Sequence, residues 1–206
     1  MAGRRFDFVL LQQITQYDEA YLLELMKVLI VVQLVIEESA EQFAFRHALT
    51  RQAISSGLLA RERRALHRII AQTLEQWHAA APDTSLADLA YHCAEAELWW
   101  SKAMEYARRA AERAQALSTP RASVELWTRV TQAALHLGQA VPPTCYLARG
   151  QAYATLGDFE QAQADYERAL HAARQTEDGR LEWQTGFQAN RAKYTCKARP
   201  DSTPTL

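Results

Sequence analysis

The sequence predicts a mainly α-helical fold, in which a small mixed module is followed by an array of packed helix pairs. Only seven of the 206 residues are Gly and six are Pro, which argues against long loops. Apolar residues recur at helical spacing through most of the chain. From about residue 86 the helices are rich in alanine, and small residues alternate with aromatic ones. This pattern is typical of helices that pack closely in pairs.

The first 57 residues combine helical and strand-like patterns. Asp7 and Asp18 can each cap a helix. Two short β-prone runs then flank a polar centre within residues 34–45, which predicts a hairpin. A further helix ends near Gly57. Two or three helices followed by a hairpin are typical of a winged-helix-like module, which we assign to residues 1–57.

Residues 58–185 form the predicted helical repeat region. It begins with one long amphipathic helix and continues with shorter alanine-rich ones. The predicted helices before the last pair cover about residues 60–78, 86–97, 101–117 and 121–137. Ser123, Trp127 and Val130 repeat a small, aromatic, small spacing that returns later in the chain. We therefore expect stacked helix pairs in this region.

Residues 186–206 form the predicted disordered tail. The segment from residue 188 has no apolar periodicity, and it carries several Arg and Lys before a polar end that contains proline. An array of repeats that ends without a polar-faced capping helix is incomplete. The sequence therefore suggests a truncated or frame-disrupted C-terminus.

The clearest pattern of the chain lies in residues 146–170. Gly150 and Ala162 would let two helix backbones approach closely, while Tyr153 and Tyr166 would fill the space between them. Gly157 falls at the turn between the two helices. The positions that carry the pattern are Tyr146, Gly150, Tyr153, Gly157, Phe159, Ala162, Tyr166 and Ala169.

This segment resembles a tetratricopeptide repeat, a helix pair of about 34 residues. The resemblance implies an α-α superhelix whose helices stack on their neighbours and bind a protein partner. The segment departs from the family pattern at Arg149, where an apolar residue is usual, and at Arg174, where proline usually ends the unit.

Composition and motifs argue against several classes of function. The formal net charge of −1 gives no overall attraction to nucleic acids or anionic membranes. No glycine lies in the spacing of a phosphate-binding loop. The six His are scattered without metal-ligand spacing, and no nucleophile motif is present. We therefore predict no metal, no cofactor and no enzymatic activity.

The cysteines and the apolar runs indicate the compartment. Cys93, Cys145 and Cys196 are odd in number and far apart, which suits a reducing compartment better than a disulfide framework. The longest apolar run, residues 28–32, is far shorter than the roughly 20 residues of a membrane-spanning helix. We predict a cytoplasmic protein without membrane contact.

A basic stripe follows the winged-helix-like module. Residues 46–68 contain six Arg against one Glu. Within them Arg61, Arg64 and Arg68 are spaced to lie on one face of a helix. Such a stripe is either a solvated or intramolecular face, or a surface that contacts phosphate or nucleic acid.

Four short stretches together resemble one family. They read FAFRHALTR at 43–51, GLLARERRALH at 57–67, LAYH at 89–92 and KAMEY at 102–106. Together they are similar to the region that follows the ATPase domain in bacterial STAND-class signal-transduction ATPases, which are often fused to LuxR-type DNA-binding or nucleotide-cyclase domains. In that family a P-loop ATPase precedes a winged helix and a tetratricopeptide array that senses an inducer or partner. The ATPase and output domains do not lie within this sequence.

The resemblance also implies a role for two residues. Arg46 and His47 occupy the place where the family's winged helix turns a histidine toward the β-phosphate of bound ADP. The next residue is usually acidic in the family, whereas this chain has Ala48. On this resemblance, His47 and Arg46 would face a nucleotide held by an ATPase domain.

These observations predict a non-catalytic protein-interaction or sensor-arm fragment of a STAND-type regulatory ATPase, acting in signal transduction or transcription regulation. Its partners would be a protein bound through the helical repeats and an ATPase domain supplied in trans. The alternative is a free-standing winged-helix DNA-binding regulator with a helical dimerisation region. Nucleic-acid binding is disfavoured because the second helix carries Asp18, Glu19 and Glu24 against Lys27.

Overall fold

The computed structural model describes residues 5–80, 86–175 and 179–197, except for the side chains of 78–80 and 191–197. The fold is mainly α, as predicted, with one small sheet. The strands are β1 (Arg5–Asp7), β2 (Val35–Glu37) and β3 (Gln42–Phe45), and the helices are α1 (Phe8–Thr15), α2 (Glu19–Val31), α3 (Ala48–Gly57), α4 (Ala60–Ala80), α5 (Leu86–Glu95), α6 (Trp100–Ala116), α7 (Pro120–His136), α8 (Pro143–Leu156), α9 (Phe159–Gln175) and α10 (Gly179–Lys197). The chain divides into two compact units, Met1–Trp99 and Trp100–Leu206.

The sheet of the first unit is antiparallel, with the strand order β1-β3-β2. The predicted hairpin is confirmed as β2 and β3, where Val35 pairs with Phe45 and Glu37 with Phe43. β1 was not predicted, because a strand of three residues shows no alternation that could be recognised. It pairs with β3 and places Phe6 beside Phe43.

Both predicted helix caps are confirmed. Asp7 Oδ1 accepts a hydrogen bond from the Leu10 amide at 3.1 Å, and Asp18 Oδ2 accepts one from the Ala20 amide at 3.1 Å. These carboxylates satisfy amides at the starts of α1 and α2 that have no partner within their helices. The apolar residues of α1, α2 and the hairpin then meet in one small core, formed by Phe8, Leu22, Met26, Val35 and Phe43.

The first unit extends beyond the predicted boundary at residue 57. It includes α4 and α5 and ends at Trp99. Trp77 on α4 donates its indole hydrogen to Gln13 Oε1 on α1, so the long helix is tied to the N-terminal module. α4 and α5 also pack together through buried His67 and His92, whose Nδ1 atoms lie 3.0 Å apart. The side chains that hold this unit together are too far apart in sequence for spacing to reveal them.

In the second unit each helix from α6 to α10 contacts the next one along the chain. Short connections between consecutive helices make the neighbours antiparallel. α8 ends at Gly157, which has a φ of 82° and donates its amide hydrogen to carbonyl groups of Tyr153 and Ala154. Glycine suits this left-handed position because it has no Cβ. The predicted turn at Gly157 is confirmed, and the unit is a tetratricopeptide-like array of helices.

The disorder predicted from residue 186 is wrong for residues 186–197, which belong to α10. Leu181, Thr185 and Ala189 on this helix are buried, and α10 packs against α9 and α8. The periodicity was missed because threonine and alanine occupy two of these three positions. The array therefore continues past its predicted end. Residues 198–206 lie outside the described residues.

Candidate protein-interaction site

Helices α8 and α9 approach each other closely at Gly150. A Cβ atom at this position would lie 2.7 Å from Tyr166 Cε1 and 3.2 Å from the Ala162 carbonyl oxygen. Ala162 and Tyr166 are themselves almost completely buried. The predicted roles of Gly150 and Ala162 in close approach and of Tyr166 in filling the space therefore agree with the packing.

The remaining predicted packing positions surround this contact. Tyr146 and Tyr153 are half-buried and pack against the core formed by α8, α9 and α10. Ala169 is fully buried in the same core, whereas Phe159 is half-buried at the start of α9. Tyr153 and Phe159 are thus less buried than Tyr166 and Ala169.

Arg149, which departs from the family pattern, is the centre of a polar cluster within the array. Its Nε and Nη2 donate to the two carboxylate oxygens of Asp165 on α9, at 2.6 and 2.8 Å. Its Nη1 lies 3.2 Å from the hydroxyl oxygens of both Thr128 and Thr131 on α7. Arg168 Nη1 donates to the same carboxylate at 2.9 Å. One arginine thus connects three successive helices.

The electrostatics of this cluster favour the charged form of Arg149. Arg149 is 9% exposed and Asp165 is 1% exposed, so neither charge is well solvated. Hydrogen bonding to Asp165 raises the pKa of Arg149 further above its already high ordinary value, although burial opposes this. The two-pronged geometry is the arrangement in which arginine binds a carboxylate most strongly. The cluster is a fixed structural element of the array.

The array also contains a groove between α6, α7 and α8. It encloses about 220 Å³. Its uncharged polar lining residues are Gln115, Ser118, Thr119, Ser123, Gln151 and Thr155, beside Ala114, Pro120 and Ala152. Ser123 is 1% exposed, and its hydroxyl has no hydrogen-bond partner within the described residues.

The first turn of α7 borders this groove. Thr119 precedes the helix, but its hydroxyl donates to the Ala114 carbonyl at 2.9 Å and does not cap α7. Pro120 occupies the first helical turn, where it has no amide hydrogen to contribute. The groove therefore combines a helix start that lacks a side-chain cap with a buried hydroxyl. Both features favour the binding of a molecule that can form hydrogen bonds there.

α6 and α7 show a packing pattern similar to that of α8 and α9, but less regular. Ser123, Trp127 and Val130, which share the small, aromatic, small spacing of that pair, are all buried. On α6 small residues occupy the corresponding buried positions, at Ala103, Ala107 and Ala110. The groove thus lies where the less regular pair meets the pair of α8 and α9.

The structure does not bring the other predicted site residues to this groove. Arg46 and His47 are exposed between β3 and α3, and His47 precedes α3 without a side-chain cap. Arg61, Arg64 and Arg68 line a separate cavity between α4 and the end of α5, whose lining does not include Arg46 or His47. The basic stripe and the pair implied by the family resemblance are therefore separate features of the first unit.

The surface of α2 is apolar and acidic. Tyr21, Leu25 and Val28 are exposed on this helix, and Val32 directly follows its last residue; Val28 and Val32 are 58% and 54% exposed. Glu24 lies among them and forms an ion pair with Lys27 at 2.6 Å. A helix of this composition is poorly suited to approach the phosphates of DNA.

Within the described residues, no group of three His, Cys, Asp or Glu could hold a metal ion. No helix in the same part of the chain is long and apolar enough to cross a bilayer.

Comparison with known protein families gives a match for one segment of the chain. Residues 143–176 match the family model of the tetratricopeptide repeat. This range covers α8 and α9, and so includes the Gly150 contact and the Arg149 cluster. No curated protein and no solved structure was found to match the sequence. The helix pair formed by α8 and α9 is thus similar to a tetratricopeptide repeat.

Proposed function

We propose that this chain is a non-catalytic protein-interaction module that holds a segment of a partner protein in the groove between α6, α7 and α8. The observation that carries this proposal is the buried Ser123 hydroxyl, which lines the groove without a hydrogen-bond partner in the described residues. Leaving such a group unsatisfied costs about 1–3 kcal/mol, which a bound donor or acceptor would recover.

A polypeptide segment fits this groove better than a charged small molecule. No charged side chain lines it. Its glutamine and hydroxyl side chains offer both donors and acceptors, which match the alternating amide and carbonyl groups of an extended backbone. The tetratricopeptide match of the adjacent helices supports a role in binding proteins.

Site-specific crosslinking tests the groove. A photoreactive amino acid at Gln115, which lines the groove and is exposed, should form an adduct with a partner in cells that produce the protein. Thr155→Trp, which fills the groove, should abolish this adduct. Glu160→Trp, an equally large change at an exposed position outside the groove, should leave it intact. An adduct that survives Thr155→Trp, or the absence of any adduct, would contradict the proposal.

We propose further that the module is the sensor arm of a STAND-type regulatory ATPase, acting in signal transduction. Two capped helices followed by a hairpin support a winged-helix-like arrangement in the first unit. The exposure of Arg46 and His47 at the end of the hairpin supports a contact with another domain. The apolar and acidic surface of α2 argues against the DNA-binding alternative.

Complex formation with a STAND-class ATPase domain supplied in trans tests this second proposal. The complex should be tighter with ADP than without it, and His47→Ala should remove that difference because it removes the imidazole proposed to face the nucleotide. Arg63→Gln, which removes an exposed charge outside both this pair and the cavity of the basic stripe, serves as the control and should preserve the difference. Titration calorimetry that detects no complex, or one equally stable with and without ADP, would sink the proposal.

A further inference from the structure

The basic stripe of α4 lines a cavity of its own. Arg61, Arg64 and Arg68 form one side of a space of about 310 Å³, opposite Glu97 and Leu98 at the end of α5. Arg68 lies seven positions after Arg61 in α4, so their backbone positions are about 10 Å apart along the helix axis. Three guanidinium groups therefore converge on a space that is large enough for a small ligand.

The charges around this cavity are not balanced. Glu97 pairs with Arg64 at 2.9 Å between Oε2 and Nη2. Arg61 and Arg68 have no ion-pair partner within the described residues, and both are exposed. Three cationic groups against one carboxylate leave a local excess of two positive charges. A ligand that carries about two negative charges on one compact group would complement this excess.

We propose that this cavity binds a phosphoryl group carried on a small organic framework. A phosphate monoester carries about −1.5 to −2 charges at neutral pH, and its oxygens match the forked donors of arginine. Ala65, Ala96 and Leu98 supply apolar surface beside the arginines, where the carbon part of the ligand would lie. The Glu97 carboxylate occupies Arg64 until the phosphoryl group displaces it.

Titration calorimetry on the full chain tests this site with two probes, inorganic pyrophosphate and a short phosphoserine peptide. The pyrophosphate arm represents phosphorylated small molecules and the peptide arm represents modified proteins. Saturable binding of either probe, absent for the unphosphorylated peptide, is the expected result. Arg61→Gln/Arg68→Gln should weaken binding about tenfold or more, because each charged hydrogen bond contributes substantially.

Two further variants make the test specific. Arg63→Gln removes a charge from the same helix at an exposed position that does not line the cavity, so its affinity should change less than about twofold. Glu97→Gln should tighten binding severalfold, because it frees Arg64 without removing a cation. Each variant's helical content is checked by circular dichroism.

Several results would overturn the proposal. They are the absence of saturable binding to both probes, an equal loss in Arg63→Gln, and weaker binding in Glu97→Gln. A preference for duplex nucleic acid over both probes would also overturn it, since that would assign the stripe to a nonspecific basic face.

Discussion

Two groups of arginine in this protein have opposite environments. Arg149 is buried, and its guanidinium is bonded to one carboxylate and two hydroxyls that come from two other helices. Arg61 and Arg68 are exposed at a cavity and have no ion-pair partner within the described residues. The charge of Arg149 is balanced by groups of the protein itself. The positive charges of Arg61 and Arg68 are left for a bound ligand to balance. Burial and partners, more than residue type, separate a structural arginine from a candidate binding arginine.

The largest expected effect concerns the buried pair. Asp165→Ala leaves the Arg149 charge buried without its carboxylate and should destabilise the second unit by about 3–5 kcal/mol. Arg149→Met combined with Asp165→Leu removes both charges and should recover most of that loss. Chemical denaturation of the wild type and both variants provides the measurement. A single variant as stable as the wild type would show that the pair is not structurally important.

A smaller effect is expected at the uncharged contact between Gly150 and Tyr166 in the same helix pair. Gly150→Ala places a methyl group against the Tyr166 ring and should cost about 1–3 kcal/mol, despite the higher helix propensity of alanine. In a Tyr166→Ala background the same change should cost less, because only the contact with the Ala162 carbonyl oxygen remains. Equal costs in the two backgrounds, measured by urea unfolding, would argue against this contact.

A third effect concerns His67, a buried histidine of the first unit. Burial is the main cause that lowers the pKa of His67 from 6.5 to about 4, and the Arg63 charge makes a smaller contribution in the same direction. The unfolded chain therefore binds more protons than the folded one between these pH values, so the stability of the first unit is complete above pH 6.5 and falls as the pH drops toward 4. The loss should be about 3 kcal/mol.

Replacement of the histidine checks the source of this pH dependence. His67→Gln should flatten the profile between pH 6.5 and 4, as followed by thermal unfolding. His171→Gln, at an exposed position on α9, should leave it unchanged. A profile that persists in His67→Gln would assign the pH dependence to other groups.

Local signals allowed much of the fold to be predicted from the sequence. The caps at Asp7 and Asp18, the hairpin and the turn at Gly157 depend on residues close together in the chain. The close contact of Gly150 with Tyr166 followed from the spacing of the repeat. Each of these features depends on residues that lie within a few tens of positions of one another, so spacing and residue type are sufficient to recognise it.

The features that were missed depend on distant residues or on weak patterns. Arg149 was recognised as unusual, but its partners Asp165 and Thr131 lie on other helices. α10 buries Thr185, a residue that does not mark an apolar stripe. The basic stripe was visible in the sequence, whereas the cavity beside it also requires the chain at the end of α5. Ser123 was recognised as a packing position but not as a hydroxyl without a partner.

One thermal unfolding experiment tests the contrast between the two groups of arginine most directly. Arg149→Gln and Arg61→Gln/Arg68→Gln are compared with the wild type, with and without pyrophosphate, following the transitions of both units. The first variant should have a lower Tm for the second unit and keep the stabilisation of the first unit by pyrophosphate. The second variant should keep both Tm values and lose that stabilisation, since exposed charges contribute little to stability. An unchanged Tm in Arg149→Gln, or pyrophosphate stabilisation that persists in Arg61→Gln/Arg68→Gln, would contradict the contrast.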